Sequence, residues 1–312
     1  MSRLNPLVVV GSVALDTVET THGKHRDALG GAAVYFSLAS RFFARPRMIG
    51  VIGNDFPATH VNLIRRHGVD LEGLQRADGP SFRWAGRYSS DGNVAHTLDT
   101  QLGVFARFQP KVPLSYQSGS VLFLANIDPD LQVHVLKQMP HALSGGDTMN
   151  FWIDQKRSAL GKMLRRLHIL FVNDQEARSL TGEHNLIRAA RALLKLGPKA
   201  AIVKKGEHGS MICTREGILF CPPFPVDTVC DPTGAGDSFA GAFMGVLAQS
   251  NHSGRAIPMP LLAKACAYGS VVASFTVGEF GVKGLLAMRW CKIQKRLEML
   301  RRLTQFGNGS RT

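Results

Sequence analysis

The chain has 312 residues, 45% of them hydrophobic and 19% charged, enough to bury one large α/β core or two modest ones. Its formal net charge of +14 suits a protein that handles polyanions, either a nucleotide or a nucleic acid. No apolar run reaches the roughly 20 residues needed to cross a bilayer, so no membrane partner is expected.

The segment Met1–Val10 carries one Arg and a short apolar run that passes into Gly11-Ser12 as patterned sequence. It reads as a first core strand rather than a signal peptide, and the expected location is the cytoplasm. The five cysteines, Cys213, Cys221, Cys230, Cys266 and Cys291, are odd in number and lack the two-residue spacing of zinc or redox motifs. Free thiols in a reducing compartment are expected, without a metal cluster. There is no fixed-period repeat and no low-complexity stretch.

In chain order, a strand is predicted over Leu7–Gly11, followed by alternating apolar and polar residues over Ser12–Thr21. A helix over Ala32–Phe43 places Tyr35, Leu38 and Phe42 on one face, and a strand follows over Met48–Gly53. Alternation returns over Phe82–Thr100 around a turn at Asp91-Gly92-Asn93. Further strands are expected over Val121–Asn126, just before Asp147, and over Ile169–Asn173 and Ala200–Lys204. Helical spacing marks Glu176–Leu180 and Leu186–Leu196. Lys204 leads through glycines into a hairpin partner at Met211–Thr214. The basic stretch Arg289–Arg302 holds Ile293, Leu297 and Leu300 at helical spacing, which predicts a solvated amphipathic helix.

Strands alternating with helices predict an α/β fold with a central, mostly parallel sheet covered by helices on both faces. The two alternating regions predict a small β lid formed by segments of about 12–29 and 81–108. The whole of 1–312 is read as one domain. Ligands of such sheets bind beyond the carboxyl ends of the strands, where a lid would cover them.

The most informative segment is Asp231-Pro232-Thr233-Gly234-Ala235-Gly236-Asp237-Ser238-Phe239, which runs into a helical pattern with Phe239, Phe243 and Leu247 on one face. Gly234, Ala235 and Gly236 expose backbone N–H groups at a helix N-terminus, a place that attracts anions. Such a loop can hold the charge that develops on a transferring phosphoryl group. Asp237, in the first turn beside it, can accept the proton of an attacking hydroxyl. Taken alone, Asp237 would read as a first-turn helix acid.

These nine residues resemble the C-terminal signature of the ribokinase family, the PfkB carbohydrate kinases. The resemblance implies Asp237 as catalytic base, Gly234, Ala235 and Gly236 as the anion hole, and Thr233 beside the nucleotide. It also implies a monovalent-cation site, for potassium, near Asp231 and Thr233. Other segments match in the family's order. Asp16 corresponds to the Asp that binds substrate hydroxyls, and Gly30-Gly31 to the glycines that let backbone approach the substrate. Asn173 and Glu176 match an Asn-x-x-Glu motif that organises magnesium, usually through water, and the phosphates of ATP. Lys204, Gly206 and Gly209 lie in the strand end that passes close to ATP. The helix over Leu261–Phe275 resembles the one bordering the adenine pocket, although Tyr268 stands where some members place an Asn.

Two departures bear on the acceptor. Ala14 and Tyr35 stand where many sugar-specific members carry Asn, so the donor and acceptors of each amide are missing. Tyr35 is read either as a ring-stacking residue or as core. Replacement contacts are sought among the aromatic residues of the second lid segment and in Asp147–Trp152. Asn150 is the preferred extra substrate contact there, with Lys156 or Arg157 neutralising phosphate. The leading expectation is transfer of the γ-phosphoryl group of Mg-ATP to a sugar-like hydroxyl. A nucleoside kinase is the alternative, and a non-catalytic nucleic-acid-binding or regulatory protein is the reading of another class. A homodimer in which lid edges pair is also expected.

Overall fold

The computed structural model describes residues 4–89, 95–119, 121–250 and 257–305. Its strands are β1 (Pro6–Val10), β2 (Ala14–Thr20), β3 (Gly23–Gly30), β4 (Arg45–Ile52), β5 (Asp70–Arg76), β6 (Phe82–Tyr88) and β7 (Ala95–Gln101) in the first part of the chain. The rest are β8 (Val121–Leu124), β9 (Leu143–Asp147), β10 (Ile169–Asn173), β11 (Ala200–Lys204), β12 (Ser210–Thr214) and β13 (Ile218–Cys221). Nine strands form one sheet in the order β13-β12-β11-β10-β9-β8-β1-β4-β5. All neighbours from β11 to β5 pair in parallel, and β12 and β13 add an antiparallel edge.

The parallel strands are apolar on both faces, as burial on both sides requires. Leu7 and Val9 of β1 join one core with the helices Ala32–Ser40, Ala235–Gln249 and Met259–Thr276, while Val8 and Val10 join the other. β10 divides the same way, with Ile169 and Phe171 on the first face and Leu170 and Val172 on the second. The chain leaves β1 towards β4 and β5, then returns to the opposite side of β1 with β8. The sheet's topological switch therefore lies between β1 and β8, and in such sheets ligands bind in the crevice beyond the carboxyl ends of the strands there.

A separate four-stranded sheet, β3-β2-β6-β7, comes from the two alternating regions, as expected. Every residue of its outer strand β7 is exposed. The turn predicted at Asp91-Gly92-Asn93 lies outside the described residues. The C-terminal helix, Trp290–Leu303, buries Ile293 and Leu300 against the core, so its apolar stripe is a packing face. Several of its cations are engaged. Arg296 lies over the rings of Phe224 and Phe275, and Arg301 and Arg302 pair with Glu298. No helix among the described residues is long and apolar enough to cross a membrane. All five cysteines are free.

The helix that follows the glycine-rich loop packs closely on Ala32–Ser40. A Cβ at Gly241 would stand 2.4 Å from the carbonyl oxygen of Phe36, and one at Gly245 2.8 Å from Phe43 Cβ. This close seating fixes the helix N-terminus relative to β1. Gly241→Ala is expected to lower stability by about 1–3 kcal/mol, because the strain from overpacking outweighs the better helix propensity of alanine. A shift of the urea midpoint to lower concentration, at unchanged slope, checks it.

Candidate active site

Local sequence places the first group of side chains. Beyond β1, Ser12 substitutes for a missing cap on the helix Ala32–Ser40. Its hydroxyl accepts from Ala32 N–H at 3.0 Å and its carbonyl from Ala33 N–H at 3.1 Å. Asp16, buried on β2, accepts from Gly31 N–H at 3.3 Å through Oδ2. Gly31 has φ of 96°, and a Cβ there would lie 2.5 Å from Ser12 O. A Cβ at Gly30 would fall 1.9 Å from Asp16 Oδ2. In this structure the paired glycines thus make room for Ser12 and Asp16. Burial pushes the Asp16 carboxyl up to about 7, the Gly31 hydrogen bond opposes that shift, and the charges of Asp231 and Asp237 add to it.

The glycine-rich loop is held from below and from the side. Asp231 is buried and accepts two backbone bonds, from Thr233 N–H at 2.9 Å and from Gly281 N–H at 2.8 Å. Thr233 donates its hydroxyl to Tyr88 Oη at 3.3 Å, which ties the loop to β6. Gly234 is left-handed, with φ of 73°, and a Cβ on it would stand 2.3 Å from the Tyr35 ring. Tyr35 is therefore core, a buried floor beneath the loop. No side chain caps the helix Ala235–Gln249. Ala235 N–H turns back to Pro232 O at 3.2 Å. Among the described residues, Gly236 N–H is left without a protein acceptor, a donor suited to an anion.

Asp237 follows in the first turn and is half-buried. Burial raises its carboxyl above the usual range, and Lys204 opposes that shift. A Cβ on Gly236 would come within 2.8 Å of Lys204 Nζ, so the ammonium lies over the loop. Lys204 ends β11, and in register beside it Asn173 ends β10. Asn173 and Glu176 form a capping box: the Asn side chain accepts from Glu176 N–H and Glu176 Oε2 accepts from Asn173 N–H, both at 2.7 Å. Glu176 is buried and raised by that burial, with Lys204 opposing. Gly206 and Gly209 flank a single turn between β11 and β12, with Lys205 N–H donating to Gly209 O at 2.8 Å.

Asp147, Glu176, Lys204 and Asp237 lie at the ends of adjacent elements, near enough for their charges to act on one another, and the charge of Asp237 acts on Asp16. Asp147 was not singled out by sequence reasoning, which preferred Asn150 three residues on. The structure places Asn150 on the exposed start of the helix Asn150–Gln155, while Asp147 and Thr148 are buried. Lys156 pairs with Asp128 and Asp130, and Arg157 donates to Leu180 O, so both expected phosphate-neutralising cations are engaged elsewhere. Tyr268 packs edge-on against Phe43 and stacks on Trp290, and its hydroxyl accepts from Gln294. The signal that could have found Asp147 is its place as the last residue of a strand whose parallel neighbours end in Asn173 and Lys204.

A helix start with a free N–H donor, a carboxylate and a lysine beside it, and acids at the carboxyl ends of a parallel sheet suit a phosphotransferase with an ATP-type donor. The model of the pfkB family of carbohydrate kinases matches residues 5–287, and the chain belongs to that family. It is an ATP-dependent phosphotransferase that acts on a hydroxyl group of a sugar-like substrate. A cytidine kinase of Thermococcus kodakarensis is 28% identical over 245 residues, 76% of this chain and 87% of that protein. The nucleoside kinase of Burkholderia thailandensis in complex with inosine superposes with a TM-score of 0.75 at 19% identity, covering 94% of this chain and 98% of that one. Arabidopsis thaliana ribokinase with ribose and ATP gives a TM-score of 0.75 at 20% identity, covering 95% and 99%.

The elevated Asp16 carboxyl has a consequence for folding. The unfolded chain loses its proton in the usual carboxylate range, whereas the folded chain keeps it until about pH 7, so stability falls as pH rises through that window. Asp16→Asn is expected to lose less stability than the parent between pH of about 4 and about 8. The gap is on the order of 4 kcal/mol at 1.36 kcal/mol per pKa unit. Urea titrations at the two pH values test this, and parallel losses in both proteins would refute it.

Proposed function

We propose that this kinase transfers the γ-phosphoryl group of Mg-ATP to a hydroxyl of a sugar or nucleoside held by Asp16, with Asp237 as the base. The observation that carries this reading is Asp237 itself: a half-buried carboxylate in the first turn of an uncapped helix, beside Lys204 and facing Asp16. In that position it accepts the hydroxyl proton as the oxygen attacks phosphorus. The N–H of Gly236 and the positive end of the helix steady charge on the transferring group, with Gly234 and Ala235 shaping the loop. Lys204, Asn173, Gly206, Gly209 and Thr233 line the donor's side.

The residues present fit a hydrated divalent cation, because Glu176 keeps one carboxylate oxygen outside its capping bond. Bound magnesium would neutralise charge on the ATP phosphates. For a monovalent cation, Asp231 is the candidate, although each of its oxygens already accepts a backbone bond. The sheet β3-β2-β6-β7 acts as the lid, excluding water once the acceptor is bound, and its exposed strand β7 is the edge for pairing with a second copy.

A nucleoside acceptor is supported by the cytidine kinase relative and by the buried Ala14 and Tyr35, which give a free sugar no amide partner. The nucleic-acid-binding reading is weakened by the burial and pairing within the C-terminal helix.

The test is ADP release with Mg-ATP across a panel of sugars and nucleosides. Asp237→Asn is expected to lower acceptor-dependent kcat by about 10²–10⁴ while the KM for ATP changes little. Turnover that persists at the parent rate would remove Asp237 from the role of base.

A further inference from the structure

A pair of thiols stands where the proposed chemistry uses neither. Cys221 ends β13 and Cys266 lies within the helix Met259–Thr276, and both are buried and free. Ser210 joins them. In the antiparallel pair β12–β13 it stands directly opposite Cys221, so the two side chains share a face of the sheet. On that face the Ser210 hydroxyl lies 2.9 Å from Cys266 Sγ. The thiols are within hydrogen-bond reach of each other: Cys266 holds Cys221 below the usual thiol range, and the same contact, with burial, raises Cys266. The strand and helix that carry them are already clamped. Ser270, one turn on from Cys266, accepts Phe224 N–H at 2.7 Å and donates to Pro222 O at 3.4 Å, just past Cys221.

Cys221 also lines a cavity of about 490 Å³ between β13 and the helices Met259–Thr276 and Trp290–Leu303. The cavity reaches the surface at Phe220, which is 59% exposed, so a small oxidant has a way in. Lys264, Arg301 and Glu298 give its wall a net positive charge, and nearby cations favour the thiolate that reacts.

The pair is coupled to the donor's side of the site. Ser210 has Cys221 on one side and Lys204 on the other, as its partner in β11. A Cβ on Gly209 would stand 2.2 Å from Cys221 O, so the turn after Lys204 has no slack against β13. At the end of the Cys266 helix, Val277 O accepts from the N–H groups of Cys230 and Asp231 at 2.8 and 3.2 Å. A bond between the two sulfurs would join the strand and the helix that frame the nucleotide.

We propose that Cys221 and Cys266 form a peroxide-sensitive dithiol whose oxidation to a disulfide weakens binding of the nucleotide donor. The Cys221 thiolate attacks one oxygen of hydrogen peroxide and breaks the O–O bond, leaving a sulfenic acid and a hydroxide that takes up the thiol's proton as water. The Cys266 sulfur then attacks that of Cys221, forms the S–S bond and expels hydroxide, which leaves with the Cys266 proton as a second water. The thiols lose two electrons and the peroxide gains them. The effect on the donor rests on the kinase reading above.

The experiment treats the full chain with hydrogen peroxide, maps its peptides by mass spectrometry without reductant, and measures ATP kinetics before and after. A linked pair of peptides carrying Cys221 and Cys266, lighter by two hydrogens and separated by dithiothreitol, is expected. The KM for ATP is expected to rise by about two- to tenfold, the range of one weakened hydrogen bond, and to recover with dithiothreitol. Cys221→Ser is expected to show neither change, and Cys266→Ala to leave a sulfenic acid on Cys221 that dimedone traps. Absence of the linked peptides under conditions that oxidise the exposed Cys291 overturns the proposal, as does a rise in KM that persists in Cys221→Ser. Linked peptides with an unchanged KM for ATP would refute the coupling to the donor. Failure of the kinase reading would look different, since the reduced chain would then turn over no ATP with any acceptor while the peptide map still decided the thiol pair.

Discussion

The arrangement of this site depends on the carboxylate of Asp231. It is almost wholly buried, and its two oxygens accept backbone N–H groups from distant parts of the chain, one at Thr233 within its own loop and one at Gly281, 50 residues from Asp231. Bonds of a buried carboxylate to backbone donors are strong, and breaking either would strand a charge in the interior. Through them the glycine-rich loop is fixed to the turn after the helix Met259–Thr276. Tyr35 supports the same loop from below and Tyr88 from the second sheet. The helix N-terminus is therefore set by three separate parts of the chain, which suits a donor array that must not rearrange while charge develops.

Around that fixed point the molecule accumulates acids that a stability-driven sequence would avoid. Asp16, Asp147, Glu176 and Asp237 are all raised by burial, and Lys204 is the one cation that acts on the last three. Outside the crevice, acids are paired on the surface in the ordinary way, as in Asp55 with Arg83 or Asp128 with Lys156. The contrast separates function from packing. Surface pairs contribute little and need little explanation, whereas unneutralised buried carboxylates cost stability and persist where a ligand completes them.

The second sheet divides between a buried stretch and an exposed strand. Its β2 strand carries Asp16 on a buried stretch, while β7 lies exposed along its length.

Much of this was legible in the sequence. The strands Ile169–Asn173 and Ala200–Lys204 appear with the bounds their β-branched runs indicate, and the helix at Ala235 starts within the small-residue run that precedes Asp237. These elements are governed by local pattern. By contrast, β5 was not read and β9 was expected only as a strand ending before Asp147, because Asp-Leu-Glu-Gly-Leu-Gln-Arg and Leu-Ser-Gly-Gly-Asp have little intrinsic strand preference. They are strands because parallel neighbours pair with them, and Gly145 is small because a Cβ would meet Met244 Sδ at 2.8 Å. By itself the sequence determined the fold class, the family and the loop with Asp237, since periodicity and motif are properties of adjacent residues. Only the tertiary structure decided that Tyr35 is a floor, that Lys156 and Arg157 are engaged elsewhere, and that Asp147 is buried while Asn150 is exposed. Those outcomes depend on strand order and on which groups burial leaves without partners, and neither is written in the spacing of a single segment.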